Sequence, residues 1–112
     1  MRRITVDEVR AAMEKTGYSL RPSCTLSSDE LCGCPVAIVA LSDGAIDPSG
    51  WNTPIGAMRA IGLDIEYGFG LVNGFDWPNN RHIPDRCDLR RKLGIEDGRA
   101  IREALMPAEV SR

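Results

Sequence analysis

Apolar residues near the N-terminus recur at the spacing of an α-helix. These positions are Val6, Val9 and Met13. Thr5 and Glu8 have the T-x-x-E spacing of a capping box, in which each side chain binds the backbone N–H of the other residue. Gly17 supplies a residue that readily adopts the left-handed conformation at a helix end. We therefore predict a helix over residues 6–16.

The next stretch, residues 18–33, shows neither a helical nor a strand period. Its first half, residues 18–26, contains Pro22 and several hydroxyl side chains and is compatible with an extended chain. Residues 27–29 have the composition of a turn. We assign no regular element to this stretch.

The run from Val36 to Leu41 is apolar at every position, which indicates burial in either a helix or a strand. Its β-branched residues favour a strand. Pro35 favours a helix, because proline loses no hydrogen bond at the first helical position. We predict a helix with Cys34 as its N-cap and its end at Asp43-Gly44.

Cap and stop signals predict three more helices. They run from Pro54 to Gly62, from Asp64 to about Phe75, and from about Asp85 to Leu105, with Pro107 as the final stop. Polar loops over residues 44–52 and 77–83 separate them. The predicted fold is therefore all-α, a single domain over residues 1–112 with about five helices.

Two segments with the same glycine pattern lie 24 residues apart, over residues 66–76 and 90–100. The matched glycines are Gly70 with Gly94 and Gly74 with Gly98. Each glycine costs a helix roughly 1 kcal/mol relative to alanine. We predict that close packing of the two helices, within one chain or across a dimer, offsets this cost. Gly68 lies off the shared face, and alanine should be tolerated there.

The alternative is that the glycines open a groove for a ligand. Its polar contacts would come from residues beside the glycines, which makes these the candidate binding residues. They are Tyr67, Asn73, Asp76 and Asp97.

Composition and charge narrow the class of protein. The chain is 43% hydrophobic and 27% charged, as in ordinary globular domains. No apolar stretch approaches the ~20 residues of a membrane span, and no signal peptide is recognisable. The basic stretch over residues 86–92 is interleaved with acids and lacks stacking aromatics, which argues against nucleic-acid binding. We expect a cytoplasmic protein without membrane or nucleic-acid partners.

The four cysteines allow three interpretations. They can be small buried hydrophobic residues. Cys34 at a helix N-cap can instead be a reactive thiol with a lowered pKa. It would then react with a thiol reagent faster than Cys24 or Cys87, and Cys32 would be the resolving thiol. The third interpretation is a zinc site, because Cys24, Cys32 and Cys34 with Cys87 or His82 would supply four ligands.

Three motifs, C-x-C-P, Y-x-x-G-x-x-x-G-F-D and G-x-x-D-G-R-A, occur in order along the chain. Their residues are Cys32, Cys34, Pro35, Tyr67, Gly70, Gly74, Phe75, Asp76, Gly94, Asp97, Gly98, Arg99 and Ala100. In this combination the chain resembles small bacterial proteins of the type carried on mobile integron gene cassettes. The resemblance implies a helical fold and no particular activity.

No phosphate loop or nucleophile elbow is present in the sequence. We therefore expect a non-enzymatic protein-interaction or small-ligand-binding module without a cofactor. The sequence is compatible with a homodimer. The alternative is a thiol-reactive or zinc-binding protein that uses the Cys32/Cys34 cluster.

Overall fold

The computed structural model describes residues 1–79 and 88–106. Within them the chain forms five helices and three short strands. The helices are α1 (Val6–Thr16), α2 (Pro35–Ser42), α3 (Pro54–Ala60), α4 (Ile65–Asp76) and α5 (Leu89–Leu105). The strands are β1 (Ser19–Leu20), β2 (Leu26–Ser27) and β3 (Cys32–Gly33).

The prediction of an all-α fold is wrong, because the strands form a small mixed sheet. β3 is the central strand, parallel to β1 and antiparallel to β2. Each strand is two residues long, which is too short for the alternation of apolar and polar residues that marks a strand in a sequence. The sheet therefore rests on backbone pairing rather than on a side-chain pattern.

The first two predicted helices are confirmed with their caps. Thr5 accepts the backbone N–H of Glu8 at 3.1 Å, and Gly17 ends α1 with a φ of +76°. α2 starts at Pro35 with Cys34 as its N-cap. Because its residues from Pro35 to Ala40 are all buried, α2 forms the centre of the core.

Helices α3 and α4 begin at their predicted caps. The side chain of Thr53 accepts the N–H of Gly56, and that of Asp64 accepts the N–H of Tyr67. α5 begins at Leu89 after the N-cap Asp88. The start predicted near Asp85 is therefore about one turn too early. The stop at Pro107 and the side chains of His82 and Cys87 lie outside the described residues.

The predicted packing of the glycine-bearing helices is confirmed within one chain. A β-carbon at Gly94 would lie 2.1 Å from the carbonyl oxygen of Tyr67, and one at Gly98 would lie 2.1 Å from that of Leu71. Such separations are far below van der Waals contact. Because the contacting residue numbers increase together along both helices, α4 and α5 run parallel.

The contacts from α4 to α5 mirror those from α5 to α4. Gly70 faces the carbonyl of Arg91, three residues before Gly94, and Gly94 faces the carbonyl of Tyr67, three residues before Gly70. Gly74 and Gly98 repeat the relation one turn later: a β-carbon at Gly74 would lie 2.2 Å from the Ile95 carbonyl oxygen. The two helices are therefore related by an approximate two-fold axis.

Gly68 departs from its prediction. A β-carbon there would lie 2.5 Å from the sulfur of Met58, a side chain that is completely buried in the core. The face of α4 opposite α5 is therefore packed against α3, and alanine at Gly68 would require Met58 to move.

None of the helices in residues 1–79 and 88–106 is long and apolar enough to cross a membrane.

Candidate functional site

The four candidate binding residues separate into two places. Tyr67 and Asp97 meet between the N-terminus and the α4–α5 pair, whereas Asn73 and Asp76 line a groove beside the second half of α4. The two places are built differently, and the groove combines unfilled space with exposed aromatic side chains.

Tyr67 and Asp97 belong to a hydrogen-bond network that fixes the N-terminal segment. The hydroxyl of Tyr67 accepts the backbone N–H of Ile4 at 2.9 Å and donates to Asp97 Oδ2 at 2.5 Å. Arg3 holds the same carboxylate with two hydrogen bonds of 2.7 and 3.0 Å. Burial, and then the bond to Asp97, raise the pKa of Tyr67 above its ordinary value. These contacts indicate a structural role for both residues.

The groove has a volume of about 400 Å³. Its lining combines two aromatic rings with polar groups from α4 and α5. The described lining residues are Phe69, Val72, Asn73, Asp76, Trp77 and Arg91. Trp77 is 61% exposed and Phe69 is 36% exposed, which is high for aromatic residues of this size.

Arg91 shapes one wall of the groove. Its guanidinium lies 5.9 Å from the centre of the Phe69 ring, within the range of a cation–π contact. It also forms an ion pair with Glu66 at 2.9 Å. The positive charge of Arg91 is therefore partly neutralised.

Asp76 stands between the groove and a second cavity. Its Oδ1 accepts the backbone N–H of Ser23, a residue with a positive φ of 58°. Burial raises the pKa of Asp76, while the Ser23 bond and the nearby Arg102 act against this. The second cavity, of about 210 Å³, shares Val72 and Asp76 with the groove. The remaining described residues that line it are Ser23, Cys24, Thr25, Cys34 and Pro54.

Cys34 occupies the predicted N-cap, but its pKa shifts in the direction opposite to the one expected. The sulfur accepts the backbone N–H of Ala37 at 3.5 Å, which favours the thiolate. The residue is only 2% exposed, however, and burial outweighs this bond and raises its pKa to about 11. Cys34 therefore has the surroundings of a structural thiol.

Cys24 and Cys32 lie in a more polar setting. A guanidinium nitrogen of Arg21 lies 3.8 Å from the sulfur of Cys32, and Arg21 is paired with Glu30. Cys24 is partly exposed, and its pKa is raised by burial and by the neighbouring Cys32. All three cysteines in the described part of the chain are free thiols.

The zinc hypothesis gains no support from these residues. Across residues 1–79 and 88–106, no three His, Cys, Asp or Glu side chains are grouped so that they could hold a metal ion. The other two proposed ligands, Cys87 and His82, lie outside those ranges.

Sequence reasoning found Asn73 and Asp76 but missed the aromatic walls of the groove. Phe69 and Trp77 look like core residues in a sequence, because large aromatics are usually buried. The sequence carried no signal for Phe69: it lies on α4 between Gly68 and Gly70, and only the structure shows that both of these neighbouring positions are packed against other helices. Because α4 is packed at both of these positions, Phe69, which lies between them, is at the surface.

Comparison of the chain with protein-family models, with curated proteins and with solved structures found no match.

Proposed function

We propose that this protein is a non-enzymatic binding module that holds a segment of a partner protein in the groove beside α4. The observation that carries the proposal is the exposure of Trp77 and Phe69 together in one concave surface. Aromatic side chains bury 150–250 Å² when covered, on the order of a few kcal/mol each. They are enriched at the centres of protein interfaces.

The polar groups of the groove favour a basic partner. Ser23 is the donor to Oδ1 of Asp76, and no donor within the described residues reaches Oδ2. Arg91 opposes a positive ligand only weakly, because Glu66 pairs with it. Residues 29–76 also carry seven acids against one base, Arg59. The supported ligand is a segment with an apolar side chain, placed between the rings, next to an Arg or Lys that reaches Asp76.

The experiment is selection from a displayed library of random peptides on the full-length chain. We expect the selected peptides to combine an apolar residue with a neighbouring Arg or Lys. Trp77→Ala should weaken their binding at least tenfold, since central aromatics cost ~2 kcal/mol or more on truncation. Asp76→Asn should weaken it as well, while still accepting the Ser23 N–H.

Trp51→Ala is the matched control, because Trp51 is 94% exposed and does not line the groove. Its peptide affinity should equal that of the parent. Selected peptides that bind Trp77→Ala as tightly as the parent would contradict the proposal, and so would peptides without basic residues. Concentration-dependent dimerisation that Trp77→Ala abolishes would replace the partner segment with a second copy of this chain.

A bacterial, cytoplasmic setting is part of the same proposal. The free thiols of Cys24, Cys32 and Cys34 support it, because disulfides are rare in the reducing cytosol. The resemblance of the motifs to those of gene-cassette proteins points the same way.

A further inference from the structure

The segment between β1 and β2 folds over β3 and brings Cys24 to Cys32. The N–H of Arg21 donates to the carbonyl of Gly33 at 2.9 Å, and the N–H of Cys34 donates to the carbonyl of Thr25 at 3.0 Å. Both ends of the 21–25 loop are therefore fastened to β3 and the residue after it. Cys24 lies inside this loop, and its side chain interacts with that of Cys32.

The Arg21 guanidinium lies against Cys32. One of its nitrogens is 3.8 Å from Sγ, so a cation stands beside the atom that would act as the nucleophile. Cys32 is itself only 7% exposed, so a small solute must reach its sulfur from the side of the exposed Arg21 side chain. Cys34 is 2% exposed, and its sulfur accepts the Ala37 N–H at the start of α2 instead.

We propose that Cys24 and Cys32 form a reversible redox pair that is oxidised by peroxides. The Cys32 thiolate attacks one oxygen of the peroxide, the O–O bond breaks, and Cys32 becomes a sulfenic acid while hydroxide leaves. The Cys24 thiol then attacks the Cys32 sulfur, and the hydroxyl group leaves as water with the Cys24 proton. Two thiols and one hydrogen peroxide thus give one disulfide and two waters.

The cysteine pair does not belong to the proposed binding groove, but it lies next to it. Ser23, Cys24 and Thr25 line the cavity that shares Asp76 with the groove. Ser23 also donates its N–H to Asp76. A disulfide from Cys24 to β3 would restrain the loop that holds one oxygen of this carboxylate.

The test oxidises the folded full-length chain with hydrogen peroxide and maps its disulfides by mass spectrometry. Digestion at acidic residues cuts the chain at Asp29 and Glu30, between the two cysteines. We expect peptides joined through Cys24 and Cys32, and we expect dithiothreitol to separate them. Cys34→Ser should form the same link, because serine preserves the N-cap.

Single variants assign the roles of the two sulfurs. In Cys24→Ser, dimedone should trap a sulfenic acid on Cys32, whereas in Cys32→Ser little dimedone should react at Cys24. Arg21→Gln should slow disulfide formation several-fold, and Arg59→Gln, an exposed arginine on α3, should not. Melting temperatures of the reduced variants equal to that of the parent would show that the variants are folded.

Three results would overturn the proposal. One is a disulfide that persists in Cys32→Ser. Another is a link that joins Cys24 to Cys34 or Cys87 in the parent. The third is a natively folded parent whose thiols stay reduced under peroxide that oxidises free cysteine.

Discussion

The hydroxyl of Tyr67 joins three parts of the chain that are far apart in sequence. It is buried in α4, binds the backbone N–H of Ile4 and binds Asp97 on α5. A buried backbone N–H without an acceptor is costly, so this hydroxyl contributes to holding the N-terminal segment in place. The sequence analysis proposed Tyr67 as a binding residue from its place beside the repeated glycines. Its actual partners, 30 and 63 residues away, are not revealed by any sequence pattern.

Tyr67→Phe tests this structural role. The substitution removes the acceptor for the Ile4 N–H and the donor to Asp97, and we expect a loss of about 1–3 kcal/mol in the free energy of unfolding. Urea unfolding measures it. Tyr18→Phe is the control, because the Tyr18 hydroxyl has no hydrogen bond within the described residues, and it should cost much less. Equal losses in both variants would contradict the role assigned to Tyr67.

Cys34 shows where reasoning from single residues fails. The C-P pair correctly predicted an N-cap, because capping depends on residues within one turn. The pKa of the thiol depends instead on burial, which comes from packing by residues elsewhere in the chain. The same limit applies to Cys24, whose contact with Cys32 requires the sheet.

At the scale of helices, Arg90 connects the starts of α4 and α5. Its guanidinium binds Asp64 Oδ2 at 2.7 Å and Asp88 Oδ2 at 2.9 Å. Both carboxylates are N-caps. Hydrogen bonds from Arg90 hold the pKa of Asp88 down at about 2. The N–H of Tyr67, and then Arg90, lower that of Asp64.

Arg90→Gln should therefore change how stability depends on pH. A carboxylate whose pKa is lower in the folded chain stabilises it above the unfolded pKa of ~3.9, and this contribution is lost as pH falls through the folded value. We expect the variant to be less stable than the parent near pH 6 and the difference to shrink toward pH 2. Denaturant unfolding at several pH values measures it.

Arg10→Gln is the control for that experiment, because Arg10 pairs only with the exposed Asp7 within the described residues. Its stability should track the parent at every pH. A difference between Arg90→Gln and the parent that stays constant from pH 6 to pH 2 would show that Arg90 does not act through the two caps.

The glycines of α4 and α5 make the sharpest prediction about packing. Gly98→Ala places a β-carbon on the Leu71 carbonyl, and the helices must separate, so we expect a loss of about 3 kcal/mol or more despite the better helix propensity of alanine. Gly74→Leu and Gly98→Leu should lower the free energy of unfolding still further. Thermal and urea unfolding measure both.

Two glycines serve as controls for this series. Gly50→Ala meets only ordinary contacts in an exposed loop and should be close to neutral. Gly68→Ala should lie between the extremes, because the obstructing Met58 has a flexible side chain. If Gly98→Ala melts at or above the parent temperature, the close approach of the helices is not what requires glycine.

For the whole molecule, local signals predicted the helices and the repeated glycines predicted the α4–α5 packing, but the sheet and the groove, which depend on other contacts between segments, were not predicted. The caps at Thr5, Cys34, Thr53 and Asp64 were readable because each acts within four residues. The sheet could not be predicted, since β3 pairs on both sides with strands that show no alternation of apolar and polar residues. The same holds for the groove, where Trp77 follows α4 and Arg91 belongs to α5.

The mirrored contacts of α4 and α5 restrict how this gene can diverge. Most core positions can drift, because a neighbouring side chain can change to make room. A glycine that faces a carbonyl has no such neighbour, since every amino acid carries the same backbone. Descendants that keep this helix pair must keep both G-x-x-x-G motifs. The pair of motifs is therefore a mark by which distant relatives could be recognised after the rest of the sequence has changed.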